Sequence, residues 1–593
     1  MLQRCRFLLL VLTCTSTLPV LECGAVERLL TVSGDVEFPE YSTRIGGQGS
    51  TAIYTMDPEK AWVIQEAEYQ LALGSDTFKF MLRPYKNKYA GTDVHTEEGP
   101  PHSEPVHSLV DRAKNVESFR KILDMPFRYT MIWAFPVAGL NNDQTGIYTG
   151  KAAGINLGDG YSKAEAKVEY RELYDFTRYL IEKYQNTGRS FLIGNWEGDW
   201  VLLADQEHLP QNKGKENKRA FEPSQEKIEA MRAWFANRQK AIEDARNSLP
   251  DAKGVHVYHY VEVNHFENAM DDIPDNGDAR LVNAVLPNIK VDAVSYSAWN
   301  GTNQTKELPG RLHKHLQFIE DHAQFTGEWP FEKAVFVGEY GRKKGAETTK
   351  CINAAASWGC PFTLYWCIIP NYPTNNHYMV EKDGSLTESY MAHHEALAKI
   401  VCQRDVYRLF LGKNPTEKEL NVLLANFQNT EVSSVLAAAI NSPEFVARIS
   451  DSDFVAALLV QLLVDQGESK QLLGTFLNKI TTGELSRFQV LLELMDSDEF
   501  KTAVNDREFS AWICTRVLNN EDPASRESVL SSLSSTARSQ VWKSALNSPG
   551  FGSAILKARF QNTQADYKDW IYENSTSDTV YQHFSVDFRG ILK

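Results

Sequence analysis

A short apolar run that ends abruptly at glycine and glutamate constrains this chain more than any other stretch. Residues 334–341 read AVFVGEYG, in which four apolar residues precede Gly338 and Glu339. A run this short, bounded by glycine, predicts a buried strand of a parallel sheet. Packing does not explain a glutamate at the end of such a strand, because carboxylates are rarely buried without a partner. Glu339 is therefore a candidate functional residue.

Seven further apolar runs alternate with helical stretches between residue 42 and about residue 402, which predicts a parallel α/β fold. Eight strands with intervening helices fit a (β/α)8 TIM barrel, so we expect a closed barrel. A doubly wound open sheet is the main alternative, but the sequence offers no GxGxxG phosphate-binding turn to support it. We place the eight strands at residues 43–47, 77–82, 129–134, 191–194, 255–261, 291–296, 334–337 and 362–366.

A second glutamate follows the fourth predicted strand. Residues 191–200 read FLIGNWEGDW, so Glu197 leaves this strand at its carboxyl end. The carboxyl ends of the strands form the catalytic face of a TIM barrel. Glu197 and Glu339 are far apart in sequence, and only closure of a barrel brings them to one pocket. Two carboxyl groups in one pocket suit hydrolysis of a glycosidic bond, in which one acts as the acid and the other as the nucleophile.

The sequence GEYG after an apolar strand resembles the seventh-strand nucleophile signature of clan A retaining glycoside hydrolases, particularly the cellulase and mannanase-like family with Gly-Glu-Phe-Gly. The resemblance covers about residues 42–402. It implies that Glu339 attacks the sugar, that Glu197 is the acid/base, and that the bond is β. A retaining hydrolase of this kind needs no metal and no cofactor.

Three further residues are similar to side chains of that clan. Trp366 matches the aromatic residue that commonly ends strand eight, and Tyr296 matches the tyrosine that hydrogen-bonds the nucleophile. Arg83, just past the second predicted strand, is similar to an arginine near the nucleophile. The resemblance therefore implies that all three lie at the substrate site.

The sequence departs from the clan at the acid/base position, where Trp196 separates Asn195 from Glu197. The clan has asparagine directly before the glutamate. Because alternate residues of a strand share one side, Asn195 and Glu197 can still face one pocket. Asp199 is an alternative acid, with Glu197 as a binding residue. The histidine-x-tyrosine of the clan's sixth strand is also missing, since residues 295–297 read Ser-Tyr-Ser.

Aromatic and polar side chains near the predicted strand ends are candidates for binding an oligo- or polysaccharide. Aromatic faces stack on the C–H faces of sugars, and Trp299 and Trp366 are the best platform candidates. Packing against helices is the alternative for such residues. His259 on the fifth strand either binds a hydroxyl or is a satisfied core histidine, and Glu262 and Asn264 beyond it are weaker candidates for sugar contacts.

The charge and the N-terminus indicate where the protein acts. Asp and Glu outnumber Lys and Arg by 77 to 62, so a basic face for nucleic acid is not expected. Residues 1–25 have a basic start, the apolar centre FLLLVLT and a small-residue end, which indicates a secretory signal peptide. Its apolar centre is shorter than the roughly 20 residues of a membrane span. We expect a secreted protein with no membrane span.

Five cysteines follow the predicted signal peptide. An odd number leaves at least one unpaired or paired with another molecule. Cys351, Cys360 and Cys367 lie close together in the sequence, and either two of them form a bridge or they are buried free thiols.

From residue 403 the sequence becomes helical, and three blocks resemble one another. They close with NSPEF, DSDEF and NSPGF at residues 441–445, 496–500 and 547–551. A period of about 50 residues predicts stacked helical units. The first block, with YRLFLGKNPTEKEL, resembles a helical module of unknown function in bacterial extracellular and surface proteins. We expect a barrel at residues 26–402 and a helical repeat domain at residues 403–560, and leave the tail at residues 561–593 unassigned.

Together these features predict a secreted retaining glycosidase whose helical domain is a candidate tether to a surface, a polymer or a partner. The alternative is a barrel that has lost catalysis and serves as a carbohydrate-binding or adhesive protein. The sequence Asn-Trp-Glu in place of Asn-Glu favours that alternative.

Overall fold

Eight parallel strands close into a barrel in the computed structural model of the protein. Each strand pairs with its neighbour in chain order, and the last pairs with the first. The fold is therefore the predicted (β/α)8 barrel and not an open sheet. The strands are β1 Ile45–Gln48, β2 Thr77–Leu82, β3 Tyr129–Ala134, β4 Arg189–Gly194, β5 Val255–Val263, β6 Ala293–Ser297, β7 Val335–Tyr340 and β8 Thr363–Trp366.

The structure describes much of the chain, and the described part divides into two compact units between His393 and His394. The predicted signal peptide, Arg83 and the tail at residues 561–593 lie outside it, and the predicted domain boundary at residue 402 stays a prediction. The described residues are 44–49, 52–58, 60–82, 107–137, 151–152, 155–156, 160–270, 278–407, 411, 415–462, 466–518, 520 and 522–552.

Helices accompany the strands of the first unit. Two long ones begin with serine caps, since Ser162 and Ser224 each accept a hydrogen bond from a backbone N–H three residues on. The helices are α1 Trp62–Ala72, α2 Leu109–Asn115, α3 Glu117–Asp124, α4 Lys163–Tyr184, α5 Gly198–Leu203, α6 Gln225–Asn247, α7 Trp299–Thr302, α8 Gly310–His322 and α9 Gly345–Trp358. Helix α10, Glu388–Val406, begins in the first unit and continues into the second.

Strand β7 extends further than the sequence indicates. The prediction ends it at Val337, but the strand continues through Glu339 to Tyr340. Pairing with β6 shifts between Val337 and Glu339, so Gly338 is an extra residue in the ladder, as in a β-bulge. A Cβ at Gly338 would overlap the Ser295 hydroxyl, which explains the need for glycine. The bulge keeps Glu339 within the strand at the mouth of the barrel.

Strand β6 is displaced from its predicted position at residues 291–296. It begins at Ala293 and ends at Ser297. The residues before it, Lys290–Val291, pair instead with Gln324–Phe325 in a separate two-stranded sheet. The carboxyl end of β6 is therefore Ser297 and not Tyr296.

Helices make up the described part of the second unit, and contacts between them join its three sequence blocks in a closed cycle. In each block, the side chain of the first residue of the closing pentapeptide accepts a hydrogen bond from a backbone N–H of another block. The N–H of Phe488 donates to Asn441, that of Ser539 to Asp496, and that of Ser433 to Asn547. The helices are α11 Glu417–Ala425, α12 Val432–Ile440, α13 Pro443–Arg448, α14 Asp451–Leu462, α15 Gln466–Thr481, α16 Arg487–Asp496, α17 Asp498–Ala503, α18 Asp506–Trp512, α19 Pro523–Leu533 and α20 Arg538–Leu546.

The three blocks form a closed cycle because the third block returns to the first. The prediction of stacked helical repeats stays a prediction. The resemblance of the first block to a bacterial surface module stays a prediction.

Cys351, Cys360 and Cys367 are buried free thiols. The bridge considered for Cys351, Cys360 and Cys367 is therefore absent from this part of the chain. In the same described ranges, no helix has both the length and the apolar character needed to cross a membrane.

Replacement of Gly194 by alanine tests the packing of the barrel interior. A Cβ at this residue, which ends β4, would overlap the aromatic ring of Tyr260 on β5. We expect Gly194→Ala to lower the free energy of unfolding by about 1–3 kcal/mol, measured by urea denaturation. Gly310→Ala is the control, because nothing lies within 4 Å of its added Cβ. Equal stabilities of the two variants would contradict the packing argument.

Candidate active site

Glu197 and Glu339 meet at the mouth of the barrel, where one hydroxyl joins them. Ser297 Oγ lies 2.6 Å from Glu197 Oε1 and 2.9 Å from Glu339 Oε2. Glu197 follows β4, Ser297 ends β6, and Glu339 lies on β7. All three side chains are buried. Closure of the barrel thus brings two distant glutamates to one hydroxyl.

A third carboxyl group and a lysine complete the polar cluster. Lys79 Nζ on β2 lies 2.5 Å from Glu262 Oε2 on β5 and 3.7 Å from Glu339 Oε1. It also donates to the carbonyl oxygen of Gly338 over 3.1 Å. Glu262 accepts further hydrogen bonds from the Ser295 hydroxyl and from the Glu197 backbone N–H. One ammonium group therefore lies among three carboxyl groups.

Sequence reasoning missed Lys79 and treated Glu262 only as a weak sugar contact. The sequence does contain a signal for Lys79. It is the charged residue of the strand TFKFML, in which every other residue except the first threonine is apolar. A fully buried lysine needs a partner, so this position points to a carboxylate on another strand. Nothing in the sequence identifies that partner as Glu262.

Burial changes the acidity of the two bridged glutamates. It raises the pKa of Glu197 to about 7, with a further contribution from the charge of Glu262. Burial also raises the pKa of Glu339 well above its ordinary value, again with help from Glu262, while Lys79 opposes the shift. Because the two groups interact closely, they titrate as a pair. Burial therefore favours a protonated carboxyl group in this pair.

Asp199, the alternative acid, lies outside the pair. Its two carboxylate oxygens accept the backbone N–H groups of Asn264 and Leu281, each over 2.9 Å. The side chain is fully buried. Asp199 therefore holds two backbone segments beside the barrel mouth, and Glu197 is the carboxyl group that reaches the hydroxyl of Ser297.

Tyr296 points away from Glu339. Its hydroxyl lies 2.7 Å from Nδ1 of His315 on α8 and accepts the backbone N–H of Gly301. The hydroxyl that reaches Glu339 belongs to Ser297, the next residue. The physical reason is the strand period, since neighbouring residues of a strand face opposite sides and a shift of one residue exchanges them.

His259 also faces away from the mouth. Its ring is fully buried, with Nδ1 3.1 Å from Oε1 of Gln239 on α6. Of the two alternatives considered, the core position fits better, although Nε2 is buried without a hydrogen-bond partner among the described residues. The side chain of Asn195 is also occupied by hydrogen bonds to the backbone. It accepts from the Glu262 N–H and donates to the Trp196 carbonyl oxygen.

Tryptophans lie beside the carboxyl groups. Trp299 Nε1 donates to Glu339 Oε2 over 3.4 Å. The Trp200 side chain also acts on Glu197, since it opposes the rise in the pKa of this carboxyl group. Trp366 is partly exposed, and its ring centroid lies 6.3 Å from that of Trp133, which in turn covers the Lys79 ammonium. Trp196 is also partly exposed.

The fold and these side chains define the first unit as a (β/α)8 barrel with paired, buried carboxyl groups at the carboxyl ends of its strands. Comparison with protein-family models and with curated proteins gave no match.

Solved structures similar to this chain include glycoside hydrolases. An exo-β-1,4-mannosidase from Opitutaceae bacterium strain TAV5 is 11% identical, with 68% of this chain and 76% of that chain covered and a TM-score of 0.35. A Bacteroidetes-affiliated GH5 cellulase is 12% identical, with 67% and 95% covered and a TM-score of 0.31. A Bacteroides ovatus GH5 xyloglucanase is 8% identical, with 60% and 75% covered and a TM-score of 0.30. Scores this low carry no argument about activity, which is therefore derived from the site.

The Lys79–Glu262 pair can be tested by removing one charge or both. We expect Lys79→Met to lower the free energy of unfolding by about 3–5 kcal/mol, because it leaves the Glu262 carboxylate buried without its cation. The double variant Lys79→Met with Glu262→Gln removes both charges and should regain part of that loss. Urea denaturation measures both effects, and a double variant no more stable than Lys79→Met would contradict this account.

The raised pKa of Glu197 predicts a pH-dependent stability. Its carboxyl group ionises less readily in the folded protein than in the unfolded chain, so native stability falls as pH rises from 4.5 to about 7. A glutamine side chain at this position cannot ionise. The Tm of Glu197→Gln relative to the native protein should therefore increase across this window.

Glu117 is the control for this titration, because Lys121 lowers its pKa. Its ionised form stabilises the folded state, so Glu117→Gln should lose stability relative to the native protein as pH rises. The change for Glu117→Gln takes place below the ordinary glutamate pKa of 4.5, so melting curves from about pH 3 to pH 8 measure both variants. Shifts of the same sign for Glu197→Gln and Glu117→Gln would show that burial does not control Glu197.

Proposed function

We propose that this protein is a retaining glycoside hydrolase that cleaves a β-glycosidic bond by double displacement. The observation that carries the proposal is the single Ser297 hydroxyl between Glu197 and Glu339, at 2.6 and 2.9 Å. These distances set an upper limit of about 5.5 Å on the separation of the two bonded carboxylate oxygens, which favours the close carboxyl pair of a retaining mechanism. An inverting mechanism needs a wider gap, because a water molecule must fit beside the sugar.

Glu339 is the nucleophile in this proposal. Its Oε2 accepts hydrogen bonds from Ser297 and Trp299, which fix the carboxylate plane. Its Oε1 has no hydrogen-bond partner among the described residues and lies 3.7 Å from Lys79 Nζ. An oxygen without hydrogen bonds keeps its lone pairs for attack on the anomeric carbon, and the nearby ammonium favours its negative charge.

Glu197 is the acid and then the base. Its raised pKa, about 7, allows this carboxyl group to hold the proton of the pair in slightly acidic to neutral solution, so it can protonate the leaving oxygen. Once Glu339 has formed the glycosyl-enzyme ester, Glu197 is ionised and takes a proton from the attacking water. Glu262 supports the first role, because its negative charge opposes ionisation of Glu197.

The wider biology of the proposal rests on the sequence. The apolar N-terminal segment supports secretion, and the substrate is an oligo- or polysaccharide for which Trp299 and Trp366 supply aromatic faces. The second unit is a candidate tether to a surface or polymer. The β configuration follows from the resemblance of residues 334–341 to clan A hydrolases.

A carbohydrate-binding barrel without turnover is the second candidate. The position of Asn195 favours it, because this side chain contacts Glu262 and Trp196. In clan A the equivalent asparagine contacts the sugar 2-hydroxyl. An acid/base without this helper could bind sugar and leave the bond intact.

Kinetics with two classes of substrate test the proposal. We expect the native protein to hydrolyse one or more members of a panel of aryl β-glycosides and β-linked polysaccharides, and Glu339→Gln to abolish turnover. Glu197→Gln should lower kcat/KM by about 10²–10⁴-fold for poor leaving groups, because these need an acid. With 2,4-dinitrophenyl leaving groups the first step should be nearly unaffected.

Two measurements separate the candidates. ¹H NMR of the first product should show the β anomer if the mechanism retains configuration, and an α product would contradict it. Glu328→Gln, on the exposed surface, controls for general effects of removing a carboxylate. Binding of oligosaccharide by the native protein and by Glu339→Gln, with turnover by neither, would overturn the enzyme proposal in favour of the binding barrel.

A further inference from the structure

Ser297 hydrogen-bonds to both Glu197 and Glu339, but its single hydroxyl proton accounts for only one of these two bonds. A hydroxyl has one proton to donate and lone pairs with which to accept. Ser297 Oγ is within hydrogen-bond distance of both carboxyl groups. It can donate to only one of them, so the second bond must be donated by the other carboxyl group. A pair that holds one proton satisfies both bonds, as a carboxylic acid, a hydroxyl and a carboxylate in a row.

We propose that Ser297 relays the single proton of the pair from Glu339 to Glu197 before the sugar is attacked. The Glu339 O–H bond breaks as its proton moves to Ser297 Oγ. The original Ser297 O–H bond breaks as the serine's own proton moves to Glu197 Oε1. Serine is neutral before and after, one carboxyl group is ionised in each state, and no other reactant is needed. The inference rests on the proposed hydrolase function and adds a positioning residue to it.

The proposed mechanism requires the proton to be on Glu197 and not on Glu339, and the relay places it there. Glu339 can attack carbon only when it is ionised, and Glu197 can act as an acid only when it is protonated. Burial and the charge of Glu262 favour the protonated form of Glu339 in the free protein. Bulk water has poor access to the bridge, because the exposed fractions are 8% for Glu197 and 2% for both Ser297 and Glu339. Proton transfer through Ser297 therefore takes the place of proton exchange with bulk water, which burial restricts.

The strand pairing holds the relay in place. Ser297 lies opposite Glu339 in the ladder between β6 and β7, and the backbone N–H of Ala298 donates to the Glu339 carbonyl oxygen over 2.7 Å. Two residues earlier on the same strand, the Ser295 hydroxyl donates to Glu262 Oε2 over 2.7 Å. Ser295 is thus a buried hydroxyl beside the pair but outside the bridge, which makes it a matched control.

Other charged and titratable groups face the pair. Lys79 and Glu262 lie within the same cluster. Tyr260 and Cys367 also face it, but burial raises the pKa of both well above their ordinary values, so they stay neutral. These four groups remain in every serine variant, and a change in the pair's titration after substitution of Ser297 therefore reports the bridge.

A titration that needs no turnover tests the relay directly. ¹³C NMR of protein labelled at the glutamate δ carbon follows both carboxyl groups, with signals assigned from Glu197→Gln and Glu339→Gln. The bridge stabilises the state with one proton by a charge-assisted bond, so it widens the pH interval between the two titration steps. We expect Ser297→Ala to narrow this interval by about one to two pH units. Ser297→Thr should restore it, and Ser295→Ala should keep it.

Kinetics supply the second readout. Without the relay, Glu339 keeps its proton and Glu197 lacks one. Ser297→Ala should therefore lower kcat/KM for both substrate classes, and by the larger factor for poor leaving groups, which need the acid as well as the nucleophile. Ser297→Thr should recover most of the loss. An equal loss for both substrates would assign Ser297 to placement of the nucleophile and overturn the relay.

Different results would overturn the proton relay and the hydrolase function. An unchanged titration interval in Ser297→Ala overturns the relay, whether or not the native protein hydrolyses glycosides. A native protein without turnover, in which Ser297→Ala narrows the interval as expected, leaves the shared proton established and overturns the hydrolase. Circular dichroism of each variant distinguishes these results from a loss of folding.

Discussion

One buried ammonium among three buried carboxyl groups is the interaction on which the barrel mouth depends. Lys79 lies between Glu262 and Glu339, and Glu197 reaches the same cluster through Ser297. Three ionised carboxylates around one cation would repel one another at low local dielectric. A retained proton lowers that repulsion. The charge balance of the site therefore favours one protonated and one ionised carboxyl group from residues of the same type.

Glycines provide the space for this cluster. Gly338 leaves room for the Ser295 hydroxyl, and Gly194 leaves room for the ring of Tyr260. A side chain at Gly338 would displace the Ser295 hydroxyl, which donates to Glu262, and a side chain at Gly194 would displace the Tyr260 ring. The bulge at Gly338 also brings Glu339 opposite Ser297, so the local backbone irregularity and the bridge between the carboxyl groups have one origin.

Much of the fold was predictable from the sequence, because buried parallel strands are short apolar runs. Strands β2 and β3 match their predicted bounds. The predictions failed by a few residues at β6 and β7, where pairing with distant segments decides the bounds. In the second unit the sequence period was visible, but the return of the third block to the first depends on Asn547 reaching Ser433, far along the chain.

The sequence by itself determined the barrel class and the two glutamates at strand ends, since apolar runs and glycine breaks are local features. Tertiary structure decided which side chains meet. It turned Tyr296 and His259 away from the mouth, placed Ser297 between the glutamates, and paired Lys79 with Glu262. The physical reason is register: a displacement of one residue reverses the face of a strand, and its side chains then meet different partners.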